Sequence, residues 1–336
     1  MTSVLAVTPV ADPGGAEIGL LRLLPRLRDR GWRVTVSTPA DGAVAEAAAS
    51  LGLATARLPV GGLGARSGAR AVLAYPAARR LAAAHDVTYL NGTVCGRLLP
   101  ALRGLRTVLH VHDLVDRVPR IWRGADVILA DSAATAERLG GLAARAHVVG
   151  CPIEPDPAPV APPWVADGRP VAGYVGRIEP RKGVHDLVAA APHLSRAGVR
   201  VIVVGNDPFA ADREYVARVD SAPYVERHPW VPGAAGLMGA LDVLVLPSHA
   251  EPFGTVLAEA MNAGTPVVAT RVGGLAEVVE DGVTGRLVAP GDPAALAAAV
   301  LEVLERRGAM GAAGRLRAAR WHADAYADRV AELIAA

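Results

Sequence analysis

Short runs rich in β-branched residues alternate with helical Ala, Leu and Arg patterns along most of this chain. The run SVLAVTPV at 3–10 precedes AEIGLLRLLPRLRDRG at 16–31, and WRVTVST at 32–38 precedes GAVAEAAASLG at 42–52. After residue 170 the same alternation returns with VAGYVG, VRVIVVG, LDVLVLPS, PVVAT and GRLVAP. Strands that alternate with helices pack as parallel sheets covered by those helices. The pattern therefore predicts an α/β fold built from β/α/β units.

A proline-rich segment divides this alternation into two halves. Residues 151–170 hold seven of the 26 prolines, a density that excludes helix or central strand. A chain of 336 residues also exceeds what one core usually organises. Ligands of such sheets bind at the carboxyl ends of the strands, here in a cleft between two facing Rossmann-like domains. The expected parts are an N-terminal domain over 1–150, a linker over 151–170, a C-terminal domain over 171–314, and an amphipathic helix over 315–336 that packs back toward the N-terminal domain.

Charge balance and cysteine count exclude several classes of protein. The formal net charge is only +2, from 35 basic and 33 acidic residues, whereas a nucleic-acid binder normally has a basic excess. Cys95 and Cys151 are too few for a disulfide framework and lack metal-ligand spacing, so we expect no chemistry from them. The start lacks a basic signal region, and no run of about 18 apolar residues is free of charges or breakers. We therefore expect a cytoplasmic protein without a transmembrane segment.

The loop GRIEPRKG, residues 176–183, contains Lys182, the single lysine of a chain that otherwise uses arginine. Arg177 and Lys182 follow a predicted buried strand, where a parallel sheet binds its ligands. Two cations in one strand-to-helix loop suit a diphosphate. The loop is not a nucleotide-binding P-loop, because Arg181 replaces the required glycine and Gly183 replaces Ser or Thr.

The segment HAEPFGTVLAEAMNAG, residues 249–264, follows the apolar strand LDVLVLPS. We expect a helix to begin near Gly254 or Thr255. The free N–H groups of its first turn would then form an anion site. Glu251 then faces a ligand at the mouth of the helix, and Glu259 reaches it from the flank. The alternative for Glu259 is an ordinary solvated helix face.

The N-terminal half contributes weaker signals. Gly14 and Gly15 form a tight turn after the first strand. In TVLHVHD, His110 and His112 lie on one side of a strand; each is either a structural histidine or a residue that positions a substrate. The glycines of VGGLGARSG at 60–68 miss the dinucleotide pattern, because Ser67 occupies a glycine position. The sequence contains no DxD, HExxH or CxxC pattern, so no metal site is indicated.

Three strings together resemble the retaining glycosyltransferases of family 4, which have the GT-B fold. They are GRIEPRKG, then EPFG-x4-EAM-x2-G-x-PVVAT, then VGGLAEVVEDGVTGRLVAPGD. The resemblance is specific from residue 171 to about 300. It is looser in the N-terminal half, where PGGAE and VHD carry it, as is usual for an acceptor domain.

This resemblance implies a role for each matching residue. His112 would lie beside the reacting carbon and act in catalysis with Glu251, and Gly15 would let the N-terminal loop close on the donor. Glu259 would bind the ribose, and Trp230 and Val231 are weaker candidates for base contacts. The donor sugar would contact Glu251, Pro252 and Phe253. The implied diphosphate-binding set is Gly14, Gly15, Arg177, Lys182, Gly254, Thr255 and Val256.

The implied reaction moves a hexose-type sugar from a UDP- or GDP-linked donor to an acceptor hydroxyl, with retention and without a metal or other cofactor. Two alternatives stay open, a nucleotide-sugar epimerase of the same shape and a non-catalytic nucleotide-sugar binding protein. The basic segment 62–80 either contacts an anionic lipid surface or is a solvated helix. A lipid, a polyol, a polysaccharide and an antibiotic aglycone all remain possible acceptors.

Overall fold

A computed structural model describes residues 1–60, 71–207 and 212–335 of the protein. The chain forms two compact units. Unit 1 comprises Met1–Ile153 and Trp321–Ala336, and unit 2 comprises Glu154–Arg320. Residues 61–68 of the glycine run and residues 62–70 of the basic segment 62–80 lie outside the described residues.

Unit 1 is built on a parallel sheet with strand order β3-β2-β1-β4-β5-β6-β7. The order reverses direction between β1 and β4, which is the ligand-binding point of such sheets. The register sets Asn91 beside His110 and Val111 beside Ala130. The strands are β1 (Ser3–Val7), β2 (Arg33–Thr38), β3 (Ala54–Arg57), β4 (Val87–Asn91), β5 (Thr107–Val111), β6 (Val127–Ala130) and β7 (Ala146–Val148).

Helices cover both faces of this sheet, because its strands are apolar on both sides. In β1, Val4 and Ala6 face one apolar cluster, while Leu5 and Val7 face the other. The α-helices described in unit 1 are α1 (Gly15–Asp29), α2 (Ala43–Ser50), α3 (Tyr75–Ala82), α4 (Ala133–Glu137) and, at the end of the chain, α11 (Ala323–Ala335); 3₁₀ helices span Cys95–Leu102, Arg120–Gly124 and Gly140–Arg145.

Unit 2 has its own parallel sheet, with strand order β10-β9-β8-β11-β12-β13. Here β8 and β11 are neighbours, so the loops that follow them begin side by side. The strands are β8 (Val171–Val175), β9 (Arg200–Val204), β10 (Val225–His228), β11 (Val243–Leu246), β12 (Val267–Thr270) and β13 (Gly285–Val288). The described α-helices are α5 (Val184–Arg196), α6 (Arg213–Asp220), α7 (Thr255–Ala263), α8 (Leu275–Val278), α9 (Pro293–Glu305) and α10 (Arg307–Ala318); 3₁₀ helices span Pro180–Lys182 and Ala234–Ala240.

The end of the chain differs from the single helix expected over 315–336. Residues 315–318 close α10, a 3₁₀ turn spans Ala319–Trp321, and α11 then packs against α1 with Tyr326, Ala327 and Val330 buried. The reason is a main-chain exchange with Ile153, whose N–H donates to Trp321 O at 2.9 Å and whose carbonyl accepts from Ala323 N–H at 2.9 Å. Groups committed to another segment cannot continue a helix.

The proline-rich segment is not a free connector. From Glu154 onward it belongs to unit 2. Asn262 on α7 donates to the carbonyls of Glu154 and Pro155 at 3.2 and 2.9 Å, and Trp164 is buried. Proline blocks regular structure here but leaves carbonyl groups for other residues to bond. Within the described ranges, no helix is long and apolar enough to cross a bilayer.

Candidate functional site

The loop after β8 places its cations beside acidic side chains. Lys182 Nζ lies 2.5 Å from Glu251 Oε2, and both side chains are largely buried. Glu179 Oε1 lies 3.4 Å from Arg177 Nη2 and 2.8 Å from Arg181 Nη2. Arg177 remains 44% exposed, so its guanidinium faces solvent at the carboxyl edge of the sheet.

Gly183 explains how Lys182 reaches Glu251, 69 positions away in the chain. Its φ is +63°, a left-handed conformation that disfavours other residues. A Cβ there would overlap the main-chain carbonyl of Pro247, in the loop after β11. In addition, His249 N–H donates to Arg181 O at 2.8 Å. The two loops therefore contact each other through their backbones, which sets the ammonium against the carboxylate.

Glu251 lies between β11 and α7 and is only 7% exposed. Besides Lys182, it accepts a bond from Ser248 Oγ at 3.3 Å and has Arg181 Nη1 at 3.9 Å. Its carbonyl accepts Gly274 N–H at 3.0 Å. A buried carboxylate needs such partners, because its desolvation is costly when it stands alone.

Helix α7 begins at Thr255, as the sequence predicted, with Gly254 as the N-cap at φ +89°. No side chain caps this helix. The first N–H that turns back into it is that of Leu257, bonded to Gly254 O at 2.9 Å, so the N–H groups of Thr255 and Val256 precede the helical ladder. They form one end of a helix dipole, which favours an anion.

Glu259 lies on the same face of α7 as Thr255 and Val256. Thr255, Val256 and Glu259 are half-buried, while Leu257, Ala258, Ala260 and Met261 between and after them are buried. Positions separated by three or four share one face of a helix. Sequence spacing and burial thus agree that α7 presents one partly exposed stripe.

The residues predicted to contact the sugar and the base in unit 2 differ in their exposure. Phe253 is 4% exposed and packs in the interior, so only its main chain could contact a sugar. Pro252 is half-buried. Trp230, after β10, is 44% exposed and its main-chain N–H donates to Asn206 Oδ1 at 3.3 Å. Val231 follows it and is half-buried.

In unit 1 the glycine turn leads directly into α1. Gly15 opens the helix, and a Cβ added there would meet no atom within 4 Å. The N–H of Gly14 donates to Glu17 Oε2 at 3.0 Å. A phosphate would have to share that N–H with Glu17, so the turn offers less to a diphosphate at Gly14 than the sequence suggested.

His112 follows β5 and contacts the ends of both neighbouring strands. Its Nδ1 lies 3.0 Å from each carboxylate oxygen of Asp131, which follows β6. Its Nε2 lies 2.9 Å from Asn91 Oδ1, at the end of β4. The side chain is 13% exposed, whereas that of Asp131 is 5% exposed. His112 therefore reaches the surface above a buried carboxylate.

His110 lies beneath His112, and the two ring centroids are 3.9 Å apart. Its Nδ1 lies 2.5 Å from Tyr89 Oη, and its Nε2 is 2.8 Å from Asp131 Oδ1 although the N–H does not point along that line. Tyr89 and Tyr326 of α11 share a further side-chain hydrogen bond. His110 is thus a buried structural histidine, one of the two roles considered for it.

Burial and charge shift the pKa values of the two histidines in opposite directions. Burial, aided by the neighbouring His112, lowers the pKa of His110 to about 4. Burial also opposes protonation of His112, but the Asp131 carboxylate outweighs it and raises the pKa of His112. Burial would raise the pKa of Asp131, yet the charge and hydrogen bonds of His112, together with the nearby His110 ring, lower it well below its usual range. The two histidines thus share one carboxylate, and their surroundings favour the protonated form of His112 and the neutral form of His110.

Metal-ligand side chains come together at one place in the described ranges. His110, His112 and Asp131 each offer one ligand atom, all within 4.8 Å of one another. These atoms are engaged with one another and with Tyr89 and Asn91. We therefore interpret the group as a hydrogen-bonded network.

The sequence analysis overlooked Asn91, Asp131 and Arg181 as parts of these arrangements. Asn91 and Asp131 each come at the carboxyl end of an apolar strand, in VTYLN and VILAD. That position was the available signal, because parallel strands end at one edge. Arg181 donates to Ala250 O at 2.9 Å, a contact between distant loops that sequence spacing does not reveal.

Comparison with known proteins agrees with this architecture. Residues 13–157 match the family described as Glycosyltransferase Family 4, and residues 169–306 match Glycosyl transferases group 1. The chain is similar in structure to Anabaena HepE, solved in complex with UDP and glucose, with a TM-score of 0.83, 25% identity and full coverage of both chains.

Two curated relatives extend the comparison. The 2-deoxystreptamine glucosyltransferase of Streptomyces kanamyceticus is 37% identical over 280 residues, or 76% of this chain and 70% of the relative. The glycogen synthase of Mycobacterium tuberculosis is 44% identical over 152 residues, but this match covers only 36% of the synthase. By its sequence, its two parallel-sheet units and these relatives, the chain belongs to the family 4, group 1 glycosyltransferases of the GT-B fold.

Proposed function

We propose that the protein transfers a hexosyl group from a nucleoside-diphosphate sugar to an acceptor hydroxyl, with retention at the anomeric carbon. The observation that carries this proposal is the Lys182–Glu251 pair at 2.5 Å, beside the start of α7. A diphosphate needs cations and N–H donors, whereas a sugar needs a fixed hydrogen-bond acceptor. This part of unit 2 holds both.

In this proposal Arg177, Lys182 and the N–H groups of Thr255 and Val256 stabilise the leaving diphosphate. Charge develops on that group as the bond between the anomeric carbon and the phosphate oxygen breaks, so these donors lower the barrier. An ammonium has three N–H donors, and Glu251 engages one side of it. Lys182 can therefore bind a phosphate oxygen without leaving Glu251.

Glu251 accepts hydrogen bonds from hydroxyls of the transferred sugar, and Glu259 accepts from the ribose. Trp230 and Val231 are candidates for base contacts, and Pro252 and Phe253 for sugar contacts. The acceptor oxygen bonds to the anomeric carbon on the face that the diphosphate leaves. Its proton passes to a phosphate oxygen, so the step needs neither a carboxylate nucleophile nor a metal ion. His112 is the candidate catalytic residue of unit 1.

The donor test is thermal stabilisation by UDP, GDP, ADP and dTDP, with and without EDTA. UDP is expected to raise Tm, because the solved relative HepE was crystallised with UDP. A ligand at 100 times its Kd adds about 2.7 kcal/mol of stability. An unchanged shift in EDTA supports metal-independent binding. No shift with any nucleotide would contradict the donor site.

Turnover separates the transferase from its alternatives. UDP release from UDP-glucose is measured with and without 2-deoxystreptamine. This molecule is chosen as the acceptor because it is named in the glucosyltransferase that is 37% identical over 280 residues. Acceptor-dependent release with an α-linked product supports retaining transfer. Conversion of UDP-N-acetylglucosamine without an acceptor would indicate an epimerase, and binding without any turnover would indicate a sensor.

The glycine turn of unit 1 gives a prediction that separates binding from folding. Gly15→Ala is expected to leave Tm unchanged, because the added Cβ meets no atom within 4 Å. If the backbone at Gly15 approaches the donor, the same methyl group should raise KM for UDP-glucose roughly tenfold, about 1.4 kcal/mol. Steady-state kinetics and a melting curve measure the two effects.

Gly19→Ala is the matched control, because it lies on the same helix and its Cβ would make only ordinary contacts with Pro152 at 3.6 Å. Wild-type KM in folded Gly15→Ala would remove the turn from the donor site.

A further inference from the structure

A continuous set of buried polar contacts links four strand ends and helix α1 of unit 1. It begins at Glu17, only 6% exposed, whose Oε1 accepts from Thr8 Oγ1 at 2.9 Å and from Asn91 Nδ2 at 3.5 Å. It continues from Asn91 to His112 and on to Asp131. Of these unit 1 groups, the proposed reaction uses only His112. The arrangement of the others therefore needs its own explanation.

The donors and acceptors along this set can be assigned from both ends. The side-chain oxygens of Glu17 act as acceptors, so each group that meets them is a donor. Thr8 Oγ1 and Gly14 N–H are donors, and Asn91 must turn its NH₂ group toward Glu17. The carbonyl oxygen of Asn91 is then the atom 2.9 Å from His112 Nε2.

His112 consequently lies between two acceptors. Asn91 Oδ1 can only accept, so Nε2 must carry a proton. Asp131 is acceptor-only as well when ionised, so Nδ1 must carry the other. Both hydrogen bonds are satisfied together only when the ring is an imidazolium.

We infer that Asp131 and Asn91 are positioning residues that hold the His112 ring with a proton on both nitrogens, and that Glu17 fixes the orientation of Asn91. This inference rests on the proposed function only for the use that catalysis makes of His112. The charge is stable there because Asp131 is ionised and only 5% exposed, so water screens the pair weakly.

The other titratable and charged groups packed around His112 are consistent with this state. His110 shares Asp131 but is held neutral by burial, so it does not compete as a second cation. The nearby carboxylates add negative potential, which favours a cation. The groups that face or adjoin the ring are Glu17 of α1, Tyr89 of β4, His110 of β5, Asp113 after β5, Asp131 after β6 and Tyr326 of α11.

The primary test is the NMR titration of ¹³C-labelled histidine in the whole protein, which has nine histidines. His112→Gln identifies the His112 resonance. In the wild-type protein this resonance should titrate above the ordinary histidine value. In Asp131→Asn and in Asn91→Leu it should titrate at lower pH, by about one unit or more in the first variant. Using two variants keeps the test valid if one of them does not fold.

Asp126→Asn is the matched control. Asp126 flanks the opposite end of β6 and accepts from Thr107 N–H and Oγ1 at 2.8 and 2.9 Å, so it has a similar structural role without contact to His112. In Asp126→Asn the His112 resonance should titrate at the same pH as in the wild-type protein. If folded Asp131→Asn and Asn91→Leu both leave the His112 titration unchanged, the inference is overturned.

The rate profile adds a readout that a purely structural role would not move. A group with a raised pKa keeps its proton below that pKa and loses it as pH rises, so the basic limb of kcat/KM should follow His112 and move to lower pH in Asp131→Asn. A shifted titration with an unmoved rate profile would support the positioning role and contradict the catalytic role proposed for His112.

Discussion

Replacing Lys182 by alanine should lower kcat/KM for the donor by roughly 30- to 900-fold, with the larger part in kcat. The expected loss is about 2 to 4 kcal/mol of transition-state stabilisation, as found when one preorganised donor to a developing charge is removed. The reason is that Lys182 is held 2.5 Å from buried Glu251 and needs no reorganisation when the diphosphate leaves. Initial rates over a range of donor concentrations measure the change.

Controls must separate this loss from a fault in folding. Lys182→Ala leaves Glu251 buried without its nearest cation, so ligand-free Tm is measured for each variant. Lys182→Arg should recover only part of the rate, because a planar fork does not replace a point charge. Arg218→Ala removes a cation from an exposed pair with Glu214 in the same unit and should change nothing. Near-normal kcat/KM in folded Lys182→Ala would remove Lys182 from the mechanism.

Replacing Glu251 by glutamine should separate recognition of the sugar from recognition of the nucleotide. Affinity for UDP-glucose is expected to fall about 10- to 150-fold, the range for loss of a hydrogen bond to a charged group. Affinity for UDP should hold, because Lys182 keeps its ammonium and loses a competing partner. Calorimetric titration with each ligand gives both values.

The comparison variant is Glu259→Ala, on the exposed stripe of α7. If Glu259 binds the ribose, this variant should weaken UDP and UDP-glucose equally, because both contain that ribose. Glu302→Gln, in a surface pair with Arg286 and Arg306, is expected to bind both ligands like the wild type. If Glu251→Gln weakens UDP as much as UDP-glucose, Glu251 acts by orienting Lys182 and does not recognise the sugar.

The central strands were predictable because both of their faces are buried. Buried parallel strands read as near-continuous apolar runs, as in TVLHV and VLVL. The edge strands β3, β7 and β10 were missed, since their residues are mostly exposed or half-buried and carry little apolar signal. The segment after Gly92 forms a 3₁₀ helix at Cys95–Leu102, with Pro100 inside it.

Local strings determined much about this protein by themselves. The loop of Arg177 and Lys182, the start of α7 and the stripe of Thr255, Val256 and Glu259 all depend on residues within about one helical turn of each other. Backbone geometry at that range follows from residue type, as with a glycine before a helix or an apolar strand before a loop. The sequence therefore identified the family and the start of α7 before any coordinates, while the donor-binding roles of these residues stay predictions.

Only the tertiary structure decided which distant residues touch. Lys182 meets Glu251 because β8 and β11 are neighbours and Gly183 allows their loops to approach. Asn91, His112 and Asp131 meet because β4, β5 and β6 end at one edge. Strand order and register arise from packing over the whole sheet, so no local pattern contains them. The protonation of His112 depends on those neighbours, and for that reason it could be inferred only from the folded chain.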